Sequence, residues 1–300
     1  MKKMKKTGVF VIALLIMAGS QLPAQDQGTT NNTDPATWSG LDQVFEKQER
    51  SLDKKPIPYP PVREADISWS KVVWRLIDLR EKINQPLFYP TEPIGEQMNL
   101  VDVLLTSIQK GELTAYSADD DLNEFKRTIT YEQVLEEFDA KDQVTEVIDV
   151  ETGFTRTDTI KGEIRKHEVQ QLLVKEIWFF DRKRSVMDVR IIGLCPIRLF
   201  FNERDTNRLD LNRKKLFWVK YPESRPFLAQ REVNNFINDS EKRTFDEIFY
   251  KRFFNGFIVQ ESNIYNNRVI NDYALGVESL LEADRIENQI FQFETSLWEY

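Results

Sequence analysis

Residues 169–201, VQQLLVKEIWFFDRKRSVMDVRIIGLCPIRLFF, decide the fold of this chain. Two runs rich in β-branched and aromatic residues flank the charged turn DRKR, a pattern typical of paired antiparallel strands. The run KKLFWVKYP follows them, and residues 144–160 precede them as a hairpin with its turn at Thr152–Gly153. The alternation of polar and apolar residues leaves one face of such a meander apolar. The sequence therefore predicts an α+β fold in which helices pack on an antiparallel β-meander.

Along the chain, helices are predicted before and after the meander, at residues 100–110, 130–138, 226–237, 244–253 and 275–300. The segments at 130–138 and 244–253 both open with a capping box, in which the first Thr and a Gln or Glu three residues later satisfy free amides. Their likeness raises two alternatives: coincidence, or two related halves at 62–140 and 164–300. Pro226 is expected near a helix start, where its missing N–H costs little.

The stretch SWSKVVWRLIDLREKINQPLFYP, residues 68–90, is also predicted to be helical. Ser68 can serve as the N-cap and Pro86 can end the helix. The helical spacing of its apolar residues predicts a buried stripe made of Trp69, Val73, Leu76 and Ile83. Trp74 then points in another direction.

The first 61 residues are predicted to lie outside the folded domain, which spans 62–300. Residues 1–24 read as a signal peptide, with four lysines, a short apolar run and Ala24 at the cut. Residues 25–61 read as an extended arm that ends in the proline-rich KKPIPYPP. A disordered leader and an arm that wraps a neighbour are the two alternatives for this segment.

Composition narrows the classes of partner. Without its first 24 residues the chain holds 37 basic and 49 acidic residues, so nucleic acid is a poor partner. Charge is uneven: residues 119–163 carry 14 acids and 5 bases, and residues 164–254 carry 13 acids and 20 bases. Adjacent blocks of opposite sign suit either solvated faces or a subunit that meets its own copies head to tail.

No catalytic signature stands out. The single Cys195 lies in an apolar run, which predicts a buried thiol, and the single His167 leaves no Ser-His-Asp triad or multi-His metal site. The acidic run 119–124 departs from a calcium loop at its sixth and twelfth positions. No catalytic residue, metal or cofactor is therefore predicted. Thr159, in DTI, resembles an O-glycosylation acceptor, although an ordinary strand end also explains it.

Three blocks resemble the GldN/PorN family of gliding-motility and type IX secretion proteins of Bacteroidetes. They are residues 65–90 (ADISWSKVVWRLIDLREKINQPLFYP), 177–197 (IWFFDRKRSVMDVRIIGLCPI) and 243–263 (RTFDEIFYKRFFNGFIVQESN). The resemblance implies a non-enzymatic subunit of a periplasmic ring, held at the inner face of the outer membrane by a GldK/PorK-like lipoprotein. It also implies contacts with a GldM/PorM-like periplasmic domain and with copies of the chain itself. A carboxylate-dependent periplasmic hydrolase and a soluble secretion chaperone or adaptor are the alternatives.

Two groups of residues are candidates for partner contact. The first is Trp74, Arg75, Asp78 and Arg80, and the second is the heptad stripe of the last helix, Ile286, Ile290, Phe293 and Leu297. For the first group, a role in the internal fold is the alternative. For the second, the alternative is a stripe that docks on its own domain.

Overall fold

A computed structural model describes residues 53–95, 97–120, 124–140, 143–148, 155–160, 162, 164–201, 211–233 and 243–297, without the side chains of 143–148 and 155–160. The predicted signal peptide, most of the predicted arm and the Thr152–Gly153 turn lie outside these residues. The described residues form ten strands: β1 (Ile67–Asp78), β2 (Ala115–Ser117), β3 (Thr128–Ile129), β4 (Gln143–Ile148), β5 (Thr155–Ile160), β6 (Val169–Asp181), β7 (Val186–Phe201), β8 (Leu211–Lys215), β9 (Phe217–Lys220) and β10 (Phe257–Glu261). In the same part of the chain there are six α-helices: α1 (Gln85–Phe88), α2 (Leu100–Gln109), α3 (Tyr131–Glu137), α4 (Tyr221–Ala229), α5 (Phe245–Tyr250) and α6 (Val277–Ser296).

Eight strands form one antiparallel sheet in the order β10-β1-β6-β7-β9-β2-β3, and β8 pairs with the end of β7. The predicted antiparallel meander is therefore confirmed, and the fold is α+β. Strands from the two predicted halves interleave in this sheet. The hairpin β4–β5 is also confirmed, but it forms a separate two-stranded sheet.

The helix predicted between Ser68 and Pro86 is wrong: most of this stretch is the strand β1. β1 lies inside the sheet, paired with β6 from Ile67 to Asp78 and with β10 from Val73 to Leu76. Both of its sides are covered, because Val73 and Ile77 enter the clusters under the helices while Trp74 and Leu76 enter a cluster on the other side. Ile83, predicted to be buried, is 55% exposed.

The largest hydrophobic cluster joins the sheet to helices α2, α4 and α5. Side chains that are essentially fully buried fill it, among them Leu104, Phe217, Tyr221 and Phe249. A separate cluster holds α6 against β1 and β10. The sheet is thus the platform on which every helix-borne candidate residue is positioned.

The helix ends follow the predicted local rules. Thr130 and Gln133 form the complete capping box of α3, and Thr244 accepts a bond from the Glu247 amide at the start of α5. The predicted helix at 226–237 is wrong at both ends: α4 begins at Tyr221 and ends at Ala229, and Pro226 lies inside it. Pro222, near the first turn, takes the position that proline prefers.

Candidate interaction surfaces

Trp74 faces the interior of the molecule, not a neighbour. Its indole is 2% exposed, and Nε1 donates to Glu124 Oε1 at 2.6 Å. The Lys175 ammonium lies 4.6 Å from the centre of the indole ring and also pairs with Glu124. The side chain is therefore occupied by contacts within the chain, as the alternative interpretation of this group predicted.

Arg75 is also buried, with 5% of its surface exposed. Its guanidinium donates to Gly256 O at 2.6 Å and to Glu287 at 3.1 Å, and it lies 3.6 Å from Glu176. Glu176 is fully buried and is also paired with Arg252 at 3.0 Å. Because two cations balance two carboxylates, this network can lie beneath α6 without an uncompensated charge.

Asp78 and Arg80 lie at the end of β1. The Arg80 guanidinium, whose side chain is 59% exposed, bonds the Asp78 carboxylate at 2.5 Å. Hydrogen bonds from Arg80 hold the pKa of Asp78 below its usual range. This pair, with Arg80 exposed and Asp78 partly buried, remains a predicted contact with a partner.

The heptad stripe of α6 docks on the chain's own sheet. Ile286 and Ile290 are buried in the cluster that includes Val73, and Phe293 stacks on Trp69 with ring centres 4.6 Å apart. Leu297, just past the end of α6, is partly buried. The alternative in which this stripe serves its own domain is the arrangement in the structure.

A second apolar set, on α6 and just before its start, is exposed, and the sequence-based prediction missed it. We call it the α6 outer surface: Leu275, Val277, Leu280, Leu281 and Phe291, each between 51% and 76% exposed. The spacing of Val277, Leu280 and Leu281 by three and four residues puts them on one side of the helix and was the available signal. Such clustered exposed apolar residues are typical of a surface that binds another protein.

The end of the predicted arm is held on the domain. Tyr59 lies under the Arg225 guanidinium, 4.4 Å from it, and beside Tyr250 with ring centres 5.4 Å apart. Arg225 also donates to the Ile57 carbonyl, and Arg190 donates to the Pro60 carbonyl. Residues 57–60 therefore form a strap bound to α4 and β7.

Arg225 is fixed by a buried carboxylate. Asp246, which is 1% exposed, accepts bonds from Arg225 Nε at 2.7 Å and Nη2 at 3.0 Å, and from the Tyr221 hydroxyl at 2.9 Å. Burial and the neighbouring Asp246 raise the pKa of Tyr221 far above its usual value. Because both carboxylate oxygens of Asp246 accept hydrogen bonds from these donors, the arrangement is suited to anchoring the strap.

Other predicted sites are dispersed. Cys195 is buried, as predicted, and His167 is exposed in a short 3₁₀ helix. Thr159 lies on β5, and its glycosylation stays a prediction.

Burial raises the pKa of Asp102, whose carboxylate bonds the Lys166 ammonium at 2.5 Å.

The described residues offer little space for a small ligand. Two surface clefts among them hold about 50 and 90 Å³, below the roughly 300 Å³ at which typical small-molecule sites begin. Within the same part of the chain, no group of three or more His, Cys, Asp or Glu side chains is placed to hold a metal ion. No helix among the described residues is both long and apolar enough to cross a membrane.

Comparison with known proteins gives one family. The model of the family described as "Gliding motility associated protein GldN" matches residues 62–299, about four fifths of the chain. The match takes in all ten strands and all six helices. A comparison with curated proteins found no match.

Proposed function

The chain belongs to the GldN family of gliding-motility-associated proteins, and on this premise we propose that it is a structural, non-enzymatic subunit of the type IX secretion and gliding machinery. The observation that carries the proposal is that the family match extends over the whole folded region. The polar groups of the interior support it. The carboxylates of Glu176 and Asp246 are ion-paired with arginines that hold structural elements together.

We propose that the protein works in the periplasm, at the inner face of the outer membrane. The support is the predicted signal peptide at 1–24 and the absence of a cysteine near its cut. The chain then depends on a lipoprotein partner of the GldK/PorK kind to stay at the membrane. Copies of the chain form a ring with that lipoprotein, and the ring meets a GldM/PorM-like periplasmic domain.

The α6 outer surface is the contact that we assign to one of these partners. Its residues are apolar and exposed, and they belong to a helix that is fixed to the sheet by its opposite side. A rigid apolar surface loses little conformational entropy on binding, which favours tight association.

Deletion of the lipoprotein gene tests the localisation. The protein is expected to move from the membrane fraction to the soluble periplasmic fraction, and sequencing is expected to find a mature N-terminus at or near Gln25. Unchanged membrane association in the deletion strain would show that the lipoprotein does not hold this chain.

Purification in mild detergent with mass measurement tests the assembly. The wild-type chain is expected in a large complex with the lipoprotein. Leu281→Glu places a charge on the α6 outer surface and is expected to weaken the complex, whereas Gln289→Glu, on an exposed position at the flank of the same helix, is the matched control. Equal recovery of the complex with both variants would contradict the assignment of this surface.

A further inference from the structure

One half of β1 has a free edge. β1 pairs with β6 along its whole length but with β10 only from Val73 to Leu76. The ladder to β10 ends at Ser262, whose N–H donates to Val72 O at 2.8 Å and whose hydroxyl accepts from Val72 N at 3.3 Å. Among the described residues, 67–71 therefore have a neighbouring strand on one side only.

The free half of β1 presents main-chain donors and acceptors. Backbone groups of alternate residues in an antiparallel strand point to the same side, so those of Ser70 point the same way as those of Val72, away from β6. The register with β6 shifts between Ile67 and Trp69, so this alternation does not extend to Ser68. Both serines are exposed. Proteins usually protect such an edge with proline, charged side chains or a covering element. Residues 67–71 carry no proline and one charge, Lys71, whose ammonium is paired with Glu261.

The hairpin β4–β5 has the complementary need. Its two strands pair over six residue positions, and neither strand pairs with a third among the described residues. An isolated two-stranded hairpin is marginally stable in water, and a third strand stabilises it. β4, QVTEVI, is rich in β-branched residues, as strands that pair well are.

Charge favours a meeting of these two elements. Residues 143–160 contain four acids and one base, Arg156. The turn after β6 carries the exposed Arg182 and Lys183, and it lies beside the start of β1 because Arg182 N donates to Asp66 O at 2.8 Å. The one basic residue of the hairpin, Arg156, lies on β5. β4 is therefore the strand that can approach this basic turn with less electrostatic repulsion.

We propose that β4 of one copy adds as a further strand to residues 67–71 of β1 in the next copy. The two surfaces differ, so the contact is head to tail, and a repeated head-to-tail contact closes into a ring when the rotation between copies allows it. Main-chain hydrogen bonds give such strand addition its affinity. The inference rests on the proposed function, in which copies of this chain form a ring, and it names the segments that meet.

Engineered disulfides test the contact in the full-length chain, purified as its complex with the lipoprotein. Ser70→Cys is combined in turn with Thr145→Cys, Glu146→Cys and Val147→Cys, since side chains of successive strand residues point to opposite faces. At least one double variant is expected to give a ladder of covalent dimers, trimers and larger species under oxidation. Each single variant carries, besides its new thiol, only the buried native Cys195 and is expected to give no ladder. Gln292→Cys on the exposed side of α6 replaces Ser70→Cys in the matched control pair.

Ser70→Pro gives a second readout, because it removes the N–H on the open side of β1. It is expected to raise the concentration needed for assembly by about tenfold, which is the effect of losing one main-chain hydrogen bond in the interface. Ser70→Ala keeps the N–H and is expected to assemble like the wild type. The melting temperature of each isolated variant reports whether it has folded.

Each result decides the inference. A large wild-type complex with no ladder from any pair, or with assembly unchanged by a folded Ser70→Pro variant, overturns the strand contact and leaves the proposed function standing. A disulfide from the Ser70→Cys variant to the lipoprotein instead of to another copy also overturns it. A wild-type chain that stays monomeric in the presence of the lipoprotein overturns both the contact and the proposed ring.

Discussion

Substitution of Trp74 by alanine is expected to destabilise the isolated protein more than the same change at Trp69. Trp74 is 2% exposed and lies in a cluster with Tyr116 and Trp218, while Trp69 is only partly buried and stacks on Phe293 near the end of α6. The sequence-based prediction assigned the opposite roles to the two tryptophans, because it placed them on a helix.

The magnitudes follow from burial. A buried Trp removes about 150–250 Å² from water, which at about 25 cal/mol per Å² corresponds to roughly 4–6 kcal/mol, and measured Trp→Ala changes cost about 3–5 kcal/mol. We expect about 4 kcal/mol for Trp74→Ala. For Trp69→Ala we expect about 2 kcal/mol, since the end of a helix can move to fill part of the space.

Thermal and urea unfolding of the isolated protein measure the difference. For a domain of this size each kcal/mol changes the melting temperature by about 2–4 °C, so the two variants are expected to differ by about 4–8 °C. Trp74→Phe is the matched control for the hydrogen bond: it keeps an aromatic ring but removes the donor to Glu124, and about 1–2 kcal/mol is expected. If Trp69→Ala proves as destabilising as Trp74→Ala, the burial argument is wrong.

Three further predictions concern stability. Gly193→Ala is expected to cost about 1–3 kcal/mol in urea unfolding, because a Cβ there would lie 2.4 Å from the Phe125 ring. The lowered pKa of Asp78 means that its bond to Arg80 stabilises the fold above the unfolded pKa of about 4 and that this contribution is lost as pH falls through the lower folded pKa. Arg80→Ala should therefore flatten the acid side of the stability profile, and an unchanged profile would contradict this. Arg225→Lys loses the two-bond contact with its buried carboxylate, so limited proteolysis is expected to cut the strap faster than in the wild type. Equal cleavage rates would show that the guanidinium does not hold the strap.

Local signals in the sequence predicted much of the fold. β6 and β7 were evident from their β-branched runs and the charged turn between them, and α3 was evident from its capping box. These features depend on residues close together in the chain, where propensity and capping act directly.

β1 could not be predicted in the same way. Residues 73–77 are all buried because the strand is paired on both edges and covered on both faces, so the polar–apolar alternation of a half-exposed strand is lost. The spacing of Trp69, Val73 and Leu76 then matched a helix equally well. Only the partners β6 and β10, about 100 and 190 residues away, decide between the two.

The candidate surfaces also combine features that local sequence indicates with features that depend on tertiary packing. The heptad stripe of α6 was correctly identified as apolar, but whether it met a partner or its own sheet depended on tertiary packing. The α6 outer surface was missed because its residues do not continue as a regular stripe along the helix. The strap was foreseen as an extended segment, whereas its attachment to Arg190 and Arg225 joins residues 130 and 168 positions apart.

The pairing of β1 with β10 also bears on how the chain reaches its native state. Val73 pairs with Glu261, so a central strand of the sheet gains its second neighbour only when the last quarter of the chain is present. A chain without its C-terminal part would therefore lack the β10 neighbour of β1, and apolar side chains of β1 would stay uncovered. Folds dominated by such distant pairings form slowly, in about milliseconds to seconds. Refolding from urea is expected to show no stable species made of residues 62–140 alone.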